Sequence, residues 1–186
     1  IFSTSSAFAT WKSDGSVITW GHASDGGDSS SVSSDLSSDV TDIVSTETAF
    51  AAKKSDGSVV TWGDSNKGGD SSSVSSDLSS GVQFIVSTAT AFAAVKSDGS
   101  VVTWGASLAG GDSSSVSSDL SSGVVEIFSN PGAFAAVKTD GSVVTWGYAN
   151  WGGDSSSVSS DLSSGVQFIV STETAFAAKK SDGSVV

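Results

Sequence analysis

Apolar residues fall in short bursts separated by serine-rich polar stretches, and the bursts recur at a fixed step. One burst is Ala49-Phe50-Ala51-Ala52. It is followed by Lys53-Lys54-Ser55-Asp56-Gly57-Ser58 and then by Val59-Val60-Thr61-Trp62-Gly63. Small, β-branched and aromatic residues on both sides of an Asp-Gly pair predict a β-hairpin. A two-residue type I′ turn at Asp56-Gly57 is expected, because Asp-Gly suits a turn that needs positive φ at both central positions. In that register Lys54 faces Val59, Lys53 faces Val60, Ala52 faces Thr61 and Ala51 faces Trp62. Both faces of the hairpin then carry apolar groups, so both must be covered. The same pattern returns at Phe8–Gly21, Phe92–Gly105 and Phe134–Gly147, and again from Phe176 to Val186.

Trp20, Trp62, Trp104 and Trp146 are each 42 residues apart. A fixed period of this size is the signature of a repeat architecture. The units run 1–42, 43–84, 85–126 and 127–168, with a partial unit at 169–186. Residues Ile169–Val186 are identical to Ile43–Val60, which marks a recent or actively homogenised duplication. Each unit opens on an apolar strand such as Val82-Gln83-Phe84-Ile85-Val86, then a polar turn, Ser87-Thr88-Ala89-Thr90, then the hairpin. A four-residue loop, Gly110-Gly111-Asp112 and a serine segment complete it. Val116, Leu120 and Val124 lie at i, i+4 and i+8, which suits a helical turn, though alternation fits as well. Serine favours caps and turns. An edge strand is expected near Ser114–Val116, followed by a loop whose helical turn buries Leu120.

Short strands, a Trp-Gly pair and a Gly-rich loop in each unit predict an all-β chain of tandem propeller-like blades, one per unit. Asp56-Gly57-Ser58-Val59-Val60-Thr61-Trp62-Gly63, with Ala49-Phe50-Ala51-Ala52 before it, resembles the regulator-of-chromosome-condensation repeat family. Its blades carry an Asp-Gly-x-Val-x-x-Trp-Gly strand after a strand rich in small residues. The resemblance extends over all units and implies the blade fold. It implies no activity, since the surfaces of that family's exchange-factor and chromatin-binding members match no residues here. Two features depart from the family: the unit is short, and Gly68-Gly69-Asp70-Ser71 stands where the family usually has Asn and then Gly-Gln-Leu-Gly.

The charge narrows the partners. Acidic residues outnumber Lys and Arg by 20 to 8, arginine is absent, and the net charge is −12. Nucleic acid needs a basic footprint, so it is not an expected partner, and no apolar run suits membrane insertion. The absence of cysteine removes disulfides and thiolate metal sites but fixes no compartment. Serine-rich, acidic, cysteine-free repeats resemble those of bacterial surface proteins, and an extracellular or cell-surface location is expected.

Candidate chemistry is sparse. His22 is the only histidine, and it lies in a loop that differs in every unit, so no catalysis is expected. Asp28, Asp70, Asp112 and Asp154 each follow a glycine pair. An aspartate among carbonyls and hydroxyls offers some of the oxygen ligands calcium prefers, but the spacing matches no calcium loop. The competing role is to cap the following serine turn, and no cofactor is expected. Lys12, Lys54, Lys96, Lys138 and Lys180 share one position, where the stem covers apolar surface and the ammonium reaches the rim, there to meet a carboxylate of the next unit. The variable loops after each Trp-Gly supply the binding candidates: His22, Asp25, Asp64, Asn66, Lys67, Leu108, Tyr148, Asn150 and Trp151. A constant scaffold with variable tips suits a contact surface, and Tyr148 with Trp151 forms the one aromatic tip.

The sequence therefore predicts a non-catalytic repetitive structural protein: an extracellular scaffold, adhesin stalk or filament subunit. The alternative is a lectin-like propeller whose variable loops meet a glycan or other surface ligand. The two ends carry the same part of the unit rather than complementary parts. The expectation is that the units do not close neatly into a ring and that they continue head to tail, in a longer chain or onto neighbouring copies.

Overall fold

A computed structural model describes all of residues 1–186. The chain is all-β with short 3₁₀ turns. Five antiparallel sheets follow one another: β1 (Phe2–Ser3), β2 (Ala7–Trp11) and β3 (Val17–Gly21); β4 (Val40–Ser45), β5 (Ala49–Lys54) and β6 (Val59–Gly63); β7 (Val82–Ser87), β8 (Ala91–Lys96) and β9 (Val101–Gly105); β10 (Val124–Ser129), β11 (Ala133–Lys138) and β12 (Val143–Gly147); and a two-stranded pair, β13 (Val166–Ser171) and β14 (Phe176–Lys180). No strand pairs with a strand of another sheet, so each repeat is a self-contained blade. This is the tandem, open blade architecture that the 42-residue period predicts. The first strands begin at Val40, Val82, Val124 and Val166, so the unit boundaries at 43, 85, 127 and 169 fall inside them.

The hairpin exists, but its turn and register differ from expectation. Phe50 pairs with Trp62, Ala51 with Thr61, Ala52 with Val60 and Lys53 with Val59. The Gly57 amide donates to the Lys54 carbonyl at 3.0 Å, and Lys54 N–H donates to Ser58 at 2.9 Å. Gly57 has φ +78°, whereas Asp56 is not in the positive-φ region. This is a three-residue loop, Ser55-Asp56-Gly57, in which a left-handed glycine closes the turn as a bulge. Asp56 prefers to accept from Ser58 N–H through Oδ1 at 2.9 Å, an Asx-type contact that holds the turn without positive φ at Asp56. One extra loop residue shifts every cross-strand pair by one. Phenylalanine, not alanine, therefore meets tryptophan: Phe50 and Trp62 stack with centroids 5.2 Å apart.

The core lies between blades rather than within them. The middle strand presents alternate residues to opposite sides. From β5, Ala49 and Ala51 pack towards the third blade, among Phe92, Ala94 and Trp104. Phe50 and Ala52 pack back onto Ala7 and Ala9 of the first blade. The third junction repeats the second: Ala91 and Ala93 meet Phe134, Ala136 and Trp146. The alanines and phenylalanines at these positions are 0% exposed. Small residues on one side and a stacked Phe–Trp pair on the other let the sheets approach closely.

The serine segment corrects a second expectation. Ser114–Val116 is a 3₁₀ turn, not an edge strand. Its serines cap and turn the backbone instead of pairing with a neighbour. The helical turn and the burial of Leu120, 2% exposed, are as expected. The segment closes over the junction: Val101 N–H donates to the Leu120 carbonyl and Val124 N–H to the Gly99 carbonyl. The lysine position is also corrected. Lys96 Nζ donates to the main-chain carbonyl of Asp77, 2.6 Å away in the preceding unit, rather than to a carboxylate of the next. Lys54, Lys138 and Lys180 do the same to Asp35, Asp119 and Asp161.

Candidate functional site

The variable loops form short 3₁₀ turns, each closed by a left-handed glycine: Gly26, Gly68, Gly110 and Gly152. They lie at the end of the blade where the first and middle strands are joined. Thr46 pins the two together. Its Oγ1 accepts from Ala49 N–H at 2.9 Å and donates to the Lys67 carbonyl at 3.2 Å. Thr4 and Thr88 repeat the contact to Asp25 and Ala109. Asn130 makes it in the fourth unit, its Nδ2 donating to the Trp151 carbonyl at 2.7 Å. The next glycine carbonyl holds the following blade: the Trp62, Trp104 and Trp146 indoles donate to Gly26, Gly68 and Gly110 at 3.0–3.1 Å. These threonines and carbonyls escaped the sequence reading. Threonine at 4, 46, 88 and 172 was the available signal, hidden by the abundance of hydroxyl residues.

The candidate loop residues are spread over successive units rather than brought to one point. In the first loop, His22 Nδ1 lies 3.3 Å from Asp25 Oδ2 and 3.1 Å from Ser24 Oγ. Ser6 Oγ also donates to Asp25. Serine, histidine and aspartate thus meet, but both partners sit on the same ring nitrogen. A nucleophilic triad needs the acid on one nitrogen and the hydroxyl on the other. Asp64 accepts from Asn66 N–H and caps its own turn. Asn66 is exposed and Lys67 half-buried, while Leu108 and Asn150 are exposed. Tyr148 and Trp151 pack at 5.5 Å, over Gly132, where a Cβ would come within 2.6 Å of both rings. The aromatic tip is thereby seated on its own unit, and Tyr148 remains 42% exposed.

Asp28, Asp70, Asp112 and Asp154 take the capping role. Each accepts through Oδ1 from the amide of Ser30, Ser72, Ser114 or Ser156 at 2.9 Å. That amide contact is the main reason each carboxyl is held below its ordinary value. No three carboxylate or imidazole side chains converge as a metal site would require. Two concavities stand out. One, about 680 Å³, lies between the third and fourth units, walled by Leu108 and Tyr148 with Asp112 and Asp154 beneath. The other, about 750 Å³, is a shallow polar hollow where the strand-joining turns of all five units meet, including Ser5, Glu47, Ala89, Pro131 and Glu173.

No protein-family model matches the sequence, and no curated protein matches it. Solved structures do. Prp20p from Saccharomyces cerevisiae matches at 16% identity and TM-score 0.54, over 98% of this chain and 55% of that one. Yeast RCC1 (Prp20), in its structure with Kap60, matches at 15% identity and TM-score 0.55, over 98% and 53%. A computationally designed protein, Ika8, aligns at 15% identity and TM-score 0.46, over 100% and 55%. The chain spans about half the length of these structures. At such identities the likeness concerns fold alone, and the fold is that of the regulator-of-chromosome-condensation type of blade repeat.

Proposed function

We propose that this chain is a non-catalytic structural repeat protein: an extracellular scaffold or stalk, or the subunit of a filament. The observation that carries this reading is the placement of the core. The first three junctions reuse one set of contacts at a step of 42 residues, and the fourth keeps its aliphatic part, so units add in series without a new core being invented. The loops after each Trp-Gly differ in every unit, while the strand residues at the junctions largely repeat. The His22 cluster has the wrong geometry for nucleophilic catalysis, and the acidic surface suits a soluble, mutually repelling body.

A second reading has one specific observation in its favour. The groove between the third and fourth units combines an aromatic wall, Tyr148, with the apolar Leu108 and the carboxylates Asp112 and Asp154. An aromatic face beside hydrogen-bond acceptors suits a neutral saccharide. A glycan array separates the two. The scaffold reading expects no binding above background. Saturable binding of one glycan that Tyr148→Ala abolishes would replace the scaffold with a lectin.

A further inference from the structure

The groove between the third and fourth units brings exposed apolar side chains and unpaired charge together. Leu108 is 70% and Tyr148 42% exposed, and both wall it. Their equivalents between the second and third units are Asn66 and Ala106, and between the first and second Ser24 and Asp64. The apolar walls are thus a product of the variable loops and not of the repeat.

Three carboxylates line the same groove, Asp112, Asp119 and Asp154, and no lysine or arginine does. Asp112 and Asp154 accept from the Ser114 and Ser156 amides through Oδ1 at 2.9 Å, which leaves Oδ2 of each free. Lys138 Nζ donates to the main-chain carbonyl of Asp119 at 2.6 Å and forms no ion pair with its carboxylate. The ion pairs of the chain, Lys12–Asp14 and His22–Asp25, both lie in the first unit. Unpaired carboxylates on a chain of net charge −12 favour a cationic occupant.

The floor of the groove favours a peptide. All of β12, Val143–Gly147, lines it, and β12 is the outer strand of its sheet. Lys138 N–H donates to the Ser142 carbonyl at 2.9 Å. Val144 and Trp146 therefore hold the hydrogen-bonded positions opposite Ala136 and Phe134, and alternation turns the Thr145 N–H and carbonyl to the outer edge. Neither has a main-chain partner. The Thr145 hydroxyl is engaged, donating to the Gly153 carbonyl at 3.2 Å. An unpaired edge is a template for an added strand, in which main-chain bonds give affinity and side-chain contacts give specificity.

We infer that this groove takes an extended basic peptide segment of a partner protein, laid along the outer edge of β12. Its lysine or arginine side chains meet Asp112, Asp119 and Asp154, and an apolar side chain enters between Leu108 and Tyr148. This goes beyond the scaffold reading and gives the groove a different occupant from the neutral saccharide, which would leave the carboxylates unanswered. Opposite charge steers the encounter, so binding weakens as salt is raised.

The test titrates a capped pentapeptide of alternating lysine and valine into the whole chain by calorimetry at low salt. The same peptide with serine for lysine is the neutral control. Leu108→Asn with Tyr148→Ala installs residues that already stand at the equivalent positions between the second and third units. Asp119→Asn with Asp154→Asn removes charge from the groove and keeps an oxygen to accept from Ser156. Asp28→Asn with Asp35→Asn removes the same charge from the first unit. Thermal melts confirm the fold of each variant. The lysine peptide is expected to bind one to one and the serine peptide not to bind. Each groove variant should weaken affinity by about tenfold, the worth of two exposed charge pairs or an equivalent apolar contact, and the first-unit variant should change it far less. No binding at millimolar peptide overturns the inference, as do equal losses from the groove and first-unit charge variants. A neutral oligosaccharide that binds where the peptide does not, and is lost with Tyr148→Ala, overturns it in favour of the saccharide. Absence of peptide binding by itself leaves the scaffold reading standing, because the blade junctions do not depend on the groove.

Discussion

Trp104→Ala is expected to destabilise the chain by about 3–5 kcal/mol, the usual range for truncating a buried tryptophan. The indole is 3% exposed, stacks on Phe92 at 5.2 Å and donates to the Gly68 carbonyl at 3.1 Å. Its removal opens a cavity against Ala49, Ala51 and Leu78 and leaves a buried carbonyl without its donor. Trp20 supplies the internal control. It occupies the same position in the sheet and stacks on Phe8, yet it is 43% exposed. Trp20→Ala is expected to cost only about 0.5–1.5 kcal/mol, the worth of the aromatic pair. Thermal or urea melts at dilute concentration check both. Equal losses for the two variants would mean that the tryptophans stabilise their own sheets and not the junctions.

The second large effect is expected at the hairpin tip. Gly99 has φ +77°, and a Cβ there would come within 2.6 Å of Gly123 N and 3.1 Å of Gly123 Cα. Those are main-chain atoms of the loop that enters the next blade, and they cannot swing aside as a side chain could. The same loop is tied down by Val124 N–H, which donates to the Gly99 carbonyl at 3.0 Å. Left-handed backbone costs a β-branched residue on the order of 1–2 kcal/mol. Gly99→Val is expected to exceed that figure, because the junction must also open. Gly183 isolates the first contribution. Its φ is +88°, but nothing lies within 4 Å of the added Cβ. Gly183→Val should therefore cost about 1–2 kcal/mol and no more. Melting curves of the two variants give the comparison, and equal losses would show that the tip does not bear on the next blade.

Much of this architecture was legible before any coordinates. The periodic Trp-Gly pairs mark four of the five sheets, the partial repeat marks the fifth, and apolar residues on both faces of Ala49–Gly63 call for cover on both sides of that sheet. Leu120 was legible as a buried anchor because it alone interrupts its serine run with a large apolar side chain. The hairpin register was not. Asp-Gly is compatible with a two-residue turn and with a three-residue turn closed by a glycine bulge. The three-residue form also occurs at Gly183, where nothing lies within 4 Å of an added Cβ, so it goes with the local contact in which the turn aspartate accepts from the serine amide two residues on.

The candidate site was less legible, and for a physical reason. The loops after Trp-Gly were recognised by their variability, which says where side chains are free to differ but not what they touch. The aromatic tip of the fourth unit shows the gap. Tyr148 and Trp151 read as a contact surface, yet they lean on Gly132, a residue that replaces the threonine of Thr48 and Thr90. The hydroxyl pins at Thr4, Thr46 and Thr88 were obscured in the opposite way. They recur faithfully, but serine and threonine are so common here that recurrence alone did not set them apart.

The central claim is that stability resides in the junctions between blades, so that interior blades are held on both faces and the end blades on one. Amide hydrogen exchange, resolved along the chain at dilute concentration, tests this most directly, because protection reports local opening. Slowest exchange is expected in Ala91–Lys96, whose blade is covered on both sides, and faster exchange in Ala7–Trp11 and Phe176–Lys180 at the ends. Equal protection of all five middle strands would contradict it.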